Sequence, residues 1–205
     1  MKLILTSEGF RENPDKLIFE MIRLSNKKVD DIKMTLFSIS YSELHEYYLN
    51  KNINLLVSLW IKRDNIKMVN ICKMCPDNVL SNLDVMYMCG GNTFEVLHYL
   101  QTNWFIRYIK EFIEKWWVYF WHSAGSQILG MDIGIAAAGV NWDVNEIWLK
   151  DTAWLWYLDY AIWSHYVDED QSQISKFQKE YKYNFITLKD NESIIIDGNH
   201  IKFIY

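Results

Sequence analysis

Short apolar runs alternate along this chain with longer stretches in which apolar positions recur every three or four residues. Residues 3–6 read as a first strand, and 15–24 as a helix with Leu17, Ile18, Met21 and Ile22 on one face. Residues 33–40 (KMTLFSIS) form a second strand. Ser42 opens the next helix, whose first turns carry Glu43 and Glu46, where negative charge suits the helix dipole. Residues 66–72 and 84–89 are the third and fourth strands. From 92 to about 114 the spacing of Phe94, Leu97, Leu100, Phe105, Ile109 and Phe112 is helical, with a break near 102–103. A fifth strand at 118–122 runs directly into a turn of small residues. A strand at 158–163, a helix at 171–179 and two terminal strands, 192–197 and 200–205, follow. Asp197-Gly198-Asn199 joins the last two as a hairpin.

Strands that alternate with helices imply a mostly parallel sheet covered on both faces, an α/β three-layer sandwich, with ligands bound beyond the carboxyl ends of the strands. No linker, repeat or low-complexity tract interrupts residues 1–205, so one domain is expected. The formal net charge of −5 gives a nucleic acid or an anionic membrane no electrostatic attraction. No apolar run approaches the roughly 20 residues of a spanning helix. The apolar N-terminal stretch turns polar at Thr6, too early for a secretory signal, and the expected compartment is cytoplasmic. Three cysteines form no disulfide framework. Cys72-Lys73-Met74-Cys75 is a single pair with no second pair to complete a metal site, and neither metal nor cofactor is expected.

Two segments fall at strand ends, where chemistry is expected. Cys89-Gly90-Gly91-Asn92-Thr93-Phe94 follows the fourth strand. Paired glycines let backbone N–H groups approach a ligand, and a helix N-terminus favours negative charge. Trp121-His122-Ser123-Ala124-Gly125 follows the fifth strand. A serine between strand and helix, with small residues after it, has the form of a nucleophile elbow, although a helix-capping serine has the same local sequence. A nucleophilic serine needs a base. His45 and His98 lie in amphipathic helices and His200 in the terminal hairpin. Strand alternation aims His122 away from residue 123. His165, just past the strand at 158–163, remains. Asp143, Asp159, Asp190 and Glu192 are all available to orient it.

Gly90-Gly91-Asn92-Thr93-Phe94, Ser123-Ala124-Gly125 and His165-Tyr166 occur in an order and spacing that resembles the peptidase E family of serine peptidases (family S51), whose fold is similar to class I glutamine amidotransferases. The likeness runs from the opening LILTSEG to the closing ESIIIDG. It implies a flavodoxin-like sandwich, a nucleophile at Ser123, a base at His165, and an acid between them at Asp143. In the related cyanophycinases the acid follows the histidine, which holds Asp190 or Glu192 in reserve. An oxyanion hole would combine the Ala124 N–H with that of Gly90 or Gly91. The resemblance implies a small peptide as substrate, aspartyl dipeptides among the choices, with the protein a monomer or homodimer. The cation such a substrate needs is missing from residues 127–144, which hold no Lys or Arg. A cyanophycinase-like hydrolase and a non-catalytic binding module are the alternatives.

One count departs from the ordinary. The chain has 10 Trp and only 8 Gly, against an average glycine share of about 7%. The family pattern has glycine where this chain has Trp121, and again near 116–117, 154 and 156. Two readings follow: indoles that pack a ligand pocket, or UGA codons that specify glycine and have been rendered as tryptophan.

Overall fold

The computed structural model describes residues 1–205 apart from 40, 75–77, 79–80, 116 and 153–156. Its strands are β1 (Lys2–Thr6), β2 (Met34–Ser38), β3 (Ile66–Asn70), β4 (Val85–Met88), β5 (Val118–His122), β6 (Ala161–Ser164), β7 (Phe185–Leu188), β8 (Ser193–Asp197) and β9 (His200–Ile204). The α-helices are α1 (Pro14–Ser25), α2 (Glu43–Ser58), α3 (Thr93–Thr102), α4 (Phe105–Glu114), the single turn α5 (Ala124–Gln127) and α6 (Gln171–Tyr181). Seven strands make one sheet in the order β3-β2-β4-β5-β1-β8-β9. The five from β3 to β1 are parallel, and β8 and β9 add to the β1 side as an antiparallel pair.

Side-chain alternation divides the core in two. Leu3, Leu5, Met86, Met88, Tyr119 and Trp121 face one side of the sheet, where they pack against Phe94, Leu97, Phe105, Ile109 and Phe112 of α3 and α4. Ile4, Val85, Tyr87, Val118 and Phe120 face the other, against Leu17 and Met21 of α1 and Ile53 and Leu56 of α2. Strands covered on both faces are apolar throughout, as VYFW in β5 is. Each such side chain taken wholly out of water contributes roughly 1.5–3 kcal/mol. The expected three-layer α/β sandwich is therefore the observed one.

One expectation needs correction. The strand placed at 158–163 does not extend the main sheet. It forms β6, which pairs in parallel with β7, a strand the sequence pattern did not single out, in a separate two-stranded sheet. The edge of β1 away from β5 is occupied by β8 along the whole of Lys2–Thr6, and β6 stands apart. The small sheet is held instead by Ala161 and Trp163 against Ile174 of α6.

Helix ends follow capping chemistry, with one anomaly. Ser42 accepts from the His45 N–H to start α2, and Asn92 accepts from Phe94 and Glu95 to start α3. At the end of α2 the Trp60 N–H donates to Val57 O and the Ile61 N–H to Leu56 O, the hydrogen-bond pair of a Schellman cap. That geometry puts Trp60 at φ 72°. Trp104, just past α3, has φ 66° and Trp148 has φ 54°. A bulky residue at positive φ is a genuine outlier.

Candidate active site

The parallel strand β5 ends at His122, and the chain turns sharply through Ser123 at φ 51°, ψ −124°. The Ser123 N–H still reaches across to Thr6 O (3.0 Å), and α5 begins at the next residue. Ser126 Oγ stitches the turn to β1: it lies 2.8 Å from Thr6 O and 3.0 Å from Trp121 O, and accepts from the Thr6 N–H. Small residues are required here because a Cβ on Gly125 would stand 2.9 Å from Trp121 Cε3 and 3.0 Å from Met88 O. A serine held in this sparsely populated conformation is strained, and such strain concentrates at functional sites.

His165 follows β6 and is itself at φ 56°. Its N–H donates to Ser7 Oγ (2.9 Å), and Ser7 Oγ donates to Leu188 O (2.8 Å), which ties the histidine both to the loop after β1 and to β7. The ring Nε2 lies 2.8 Å from Ser123 Oγ, and Nδ1 lies 2.7 Å from Asp190 Oδ1. With Asp190 accepting from Nδ1–H, Nε2 is left as the acceptor for the serine hydroxyl. A second carboxylate, Glu8, stands 3.7 Å from the same Nδ1 and is paired with Arg11 at 2.7 Å. Glu8, His165 and Asp190 together bring three ligand-type atoms within 4.8 Å. All three residues are already engaged, His165 and Asp190 with each other and Glu8 with Arg11.

Asp143, the first choice as orienting acid, makes no hydrogen bond or ion pair with His165. Its Oδ2 accepts from the Thr93 N–H (2.8 Å) and lies 2.6 Å from Thr93 Oγ1, so the carboxylate sits against the N-terminus of α3, where the unpaired N–H groups and the dipole favour it. Of the two reserve acids, Asp190 is the one on the imidazole. Glu192 Oε2 accepts from the Lys189 N–H (3.0 Å) and closes the turn that presents Asp190.

Of the two glycines offered as oxyanion donors beside Ala124, one has a free N–H among the described residues. The Gly90 N–H is taken: it donates to His122 Nε2 at 2.9 Å. Among the described residues the N–H groups of Gly91 and Ala124 have no partner. Gly91 has φ 146°, open to glycine and strained for any other residue. His122 was expected to face away from residue 123. Because the chain leaves the extended conformation at Ser123, both side chains reach the same cavity.

That cavity has a volume of about 260 Å³ and is walled by Glu8, Arg11, Tyr48, Gly91, His122 and Ser123, among others. It lies below the roughly 300–1,000 Å³ common for ligand pockets, which suits a small substrate. Sequence reasoning missed Arg11. Among the described residues lining the cavity it is the one permanent cation, and it arrives from the loop after β1 rather than from the elbow. Cys89 also lines the cavity, but burial pushes its thiol up to about 12, so it stays protonated. Cys75, and with it the Cys72–Cys75 pair, lies outside the described residues, as do Trp116, Trp154 and Trp156. Among the described residues no helix is long and apolar enough to cross a membrane.

The fold has counterparts. No curated protein sequence matches the chain. Among solved structures, it is similar to a Listeria monocytogenes EGD-e protein assigned as a peptidase E, with a TM-score of 0.75 at 22% identity over 98% of this chain and 96% of that one. It is also similar to a peptidase from an acI-B1 actinobacterium, with a TM-score of 0.68 at 13% identity over 99% of this chain and 86% of that one. At these identities the likeness is one of fold. The sequence profile of peptidase family S51 matches residues 3–204, nearly the whole length, and the chain belongs to that family.

Proposed function

We propose that this chain is a serine hydrolase of small peptides that acts through Ser123, His165 and Asp190. The observation that carries the reading is the continuous path from Asp190 Oδ1 through the His165 ring to Ser123 Oγ, with both contacts under 3 Å. Ser123 Oγ attacks the peptide carbonyl as His165 Nε2 takes its proton. Asp190 holds the ring in the required tautomer and stabilises the imidazolium. The N–H groups of Gly91 and Ala124 receive the oxyanion. Collapse expels the amine, protonated from Nε2, and water activated by the same nitrogen releases the acyl group.

Two carboxylates separate this reading from its closest rival. Asp190→Asn lowers kcat by about 10²- to 10⁴-fold, because the amide no longer selects the Nδ1–H tautomer. Asp143→Ala leaves kcat in place and costs about 1 kcal/mol of stability through the start of α3. Steady-state kinetics and thermal melts on the two variants decide between them, and the reverse pattern restores Asp143 as the acid.

For specificity, Arg11 supports an acidic residue at the N-terminal side of the scissile bond. Glu8 holds one of its nitrogens, which leaves further guanidinium donors for a substrate carboxylate. The chain should hydrolyse aspartyl dipeptides in preference to asparaginyl ones. Arg11→Gln should cut kcat/KM for the aspartyl substrate by about 10- to 100-fold, the loss of one charge-assisted contact, and leave the asparaginyl substrate little changed. Equal losses on both substrates remove Arg11 from recognition. A chain that neither hydrolyses these dipeptides nor labels with a fluorophosphonate is a binding module instead.

A further inference from the structure

We propose that His122 is a positioning residue for the oxyanion site: its neutral ring holds the Gly90 N–H so that the Gly91 N–H, not that of Gly90, faces the reacting carbonyl. The proposal rests on the hydrolase reading above and adds to it a residue outside the Ser123–His165–Asp190 path. Three observations carry it. His122 Nε2 accepts from Gly90 at 2.9 Å, so the proton is on Nδ1. That Nδ1 is buried and without a hydrogen-bond partner. A protein that leaves a buried ring nitrogen unpaired needs a reason, and keeping Nε2 as an acceptor supplies one. Finally, a Cβ on Gly90 would lie 3.0 Å from both His122 Nε2 and Ser123 Cβ, so the loop after β4 rests directly on the imidazole and the elbow.

The ring's electrostatics agree. Burial, then the positive charge of Arg11, pushes the His122 pKa down to about 3. The ring is therefore an acceptor across the working pH range, and a protonated Nε2 could not hold the Gly90 N–H. In this arrangement the histidine next to the nucleophile moves no proton. It fixes a peptide plane.

The test joins kinetics to a measurement that does not need activity. In the wild-type chain, ¹⁵N NMR should show His122 as the Nδ1–H tautomer and the Gly90 amide protected from exchange. In His122→Ala that protection is lost, and kcat falls by about 10- to 100-fold with KM little changed, up to the cost of one oxyanion donor. His122→Gln, whose carbonyl can accept from Gly90, should recover most of both. An unprotected Gly90 amide in the wild type, or an alanine variant with unchanged kcat, overturns the proposal. A wild-type chain that shows the tautomer and the protection but hydrolyses nothing sinks the hydrolase reading, and with it the oxyanion role, while the hydrogen bond itself stands.

A separate set of observations bears on the tryptophans. Trp60, Trp104 and Trp148 all adopt positive φ, and all three indoles are solvent-exposed (80%, 60% and 84%). Trp60 occupies the position of a Schellman cap that glycine normally fills, and Trp104 directly follows Asn103, the C-cap of α3. Inside, Trp121 buries an Nε1–H with no partner, and its ring centroid lies 3.8 Å from that of Tyr119. Backbone that suits glycine beneath mostly solvated indoles at 60, 104 and 148, an unpartnered indole N–H at 121 and a glycine-poor composition share one cause. We infer that the organism inserts glycine at 60, 104, 121 and 148, from UGA codons that the written sequence renders as tryptophan. Peptide mapping by mass spectrometry of the protein isolated from its own cells decides the matter. Glycine at these positions is expected, and tryptophan at Trp60 and Trp121 would overturn the inference.

Discussion

Ser123→Ala should lower peptide hydrolysis by about 10⁴- to 10⁶-fold and leave the fold intact. The two effects differ in size because they draw on different contacts. Loss of the nucleophile removes the covalent route altogether, about 5–8 kcal/mol of transition-state stabilisation at 1.36 kcal/mol per factor of ten. The hydroxyl contributes little to folding. Its hydrogen-bond partner is the His165 ring, itself only partly buried, so its removal costs about 1 kcal/mol or less. The elbow is held by other atoms: the Ser123 N–H on Thr6 O, and Ser126 Oγ between β1 and β5. Kinetics with a fluorogenic peptide and fluorophosphonate labelling read the first effect, and thermal melts the second. Turnover within tenfold of the parent would remove Ser123 as nucleophile. A melt lowered by several kcal/mol would mean the hydroxyl holds the fold.

How far the sequence foretold this site depends on the kind of contact. The meeting of Ser123 with His165 was legible because each sits in a local pattern: Ser-Ala-Gly at the end of an apolar strand, and a histidine just after another. Which carboxylate meets the imidazole was left open between Asp143 and the reserve acids, since 25 residues separate His165 from Asp190. Across such a gap, chain spacing carries no information about which carboxylate a turn delivers. Asp143 satisfied the expected order yet is held at the N-terminus of α3 by Thr93. Arg11 escaped notice for a related reason, because the loop after β1 enters the cavity from a strand adjacent in the sheet but more than a hundred residues away in the chain. His122 was misplaced by a rule that holds only within a strand. Alternation ends where Ser123 turns to φ 51°, and the two neighbours share a cavity. The fold was legible where burial is continuous, in β1, β4 and β5. It was not for β6 and β7, since a four-residue apolar run reads alike in either sheet.

The second large effect is on stability. The triple replacement Trp60→Gly, Trp104→Gly and Trp148→Gly should raise it by about 2–3 kcal/mol. An L-residue in the left-handed region costs about 1–2 kcal/mol, which glycine does not incur. Against this, the more flexible unfolded chain takes back about 0.4–1 kcal/mol per site. Little burial is lost, because the three indoles are mostly in water. The sites lie in separate connections, after α2, after α3 and in the loop beyond α5, so their gains should add. For a chain of this size the melting midpoint should rise by roughly 4–12 °C. Alanine at the same three positions is the control. It removes the indole but keeps a Cβ, so it keeps the backbone penalty and should bring no comparable gain. Equal stabilisation by alanine and glycine would trace the effect to the loss of exposed apolar surface. Glycine alone raising the midpoint ties it to the backbone these positions demand.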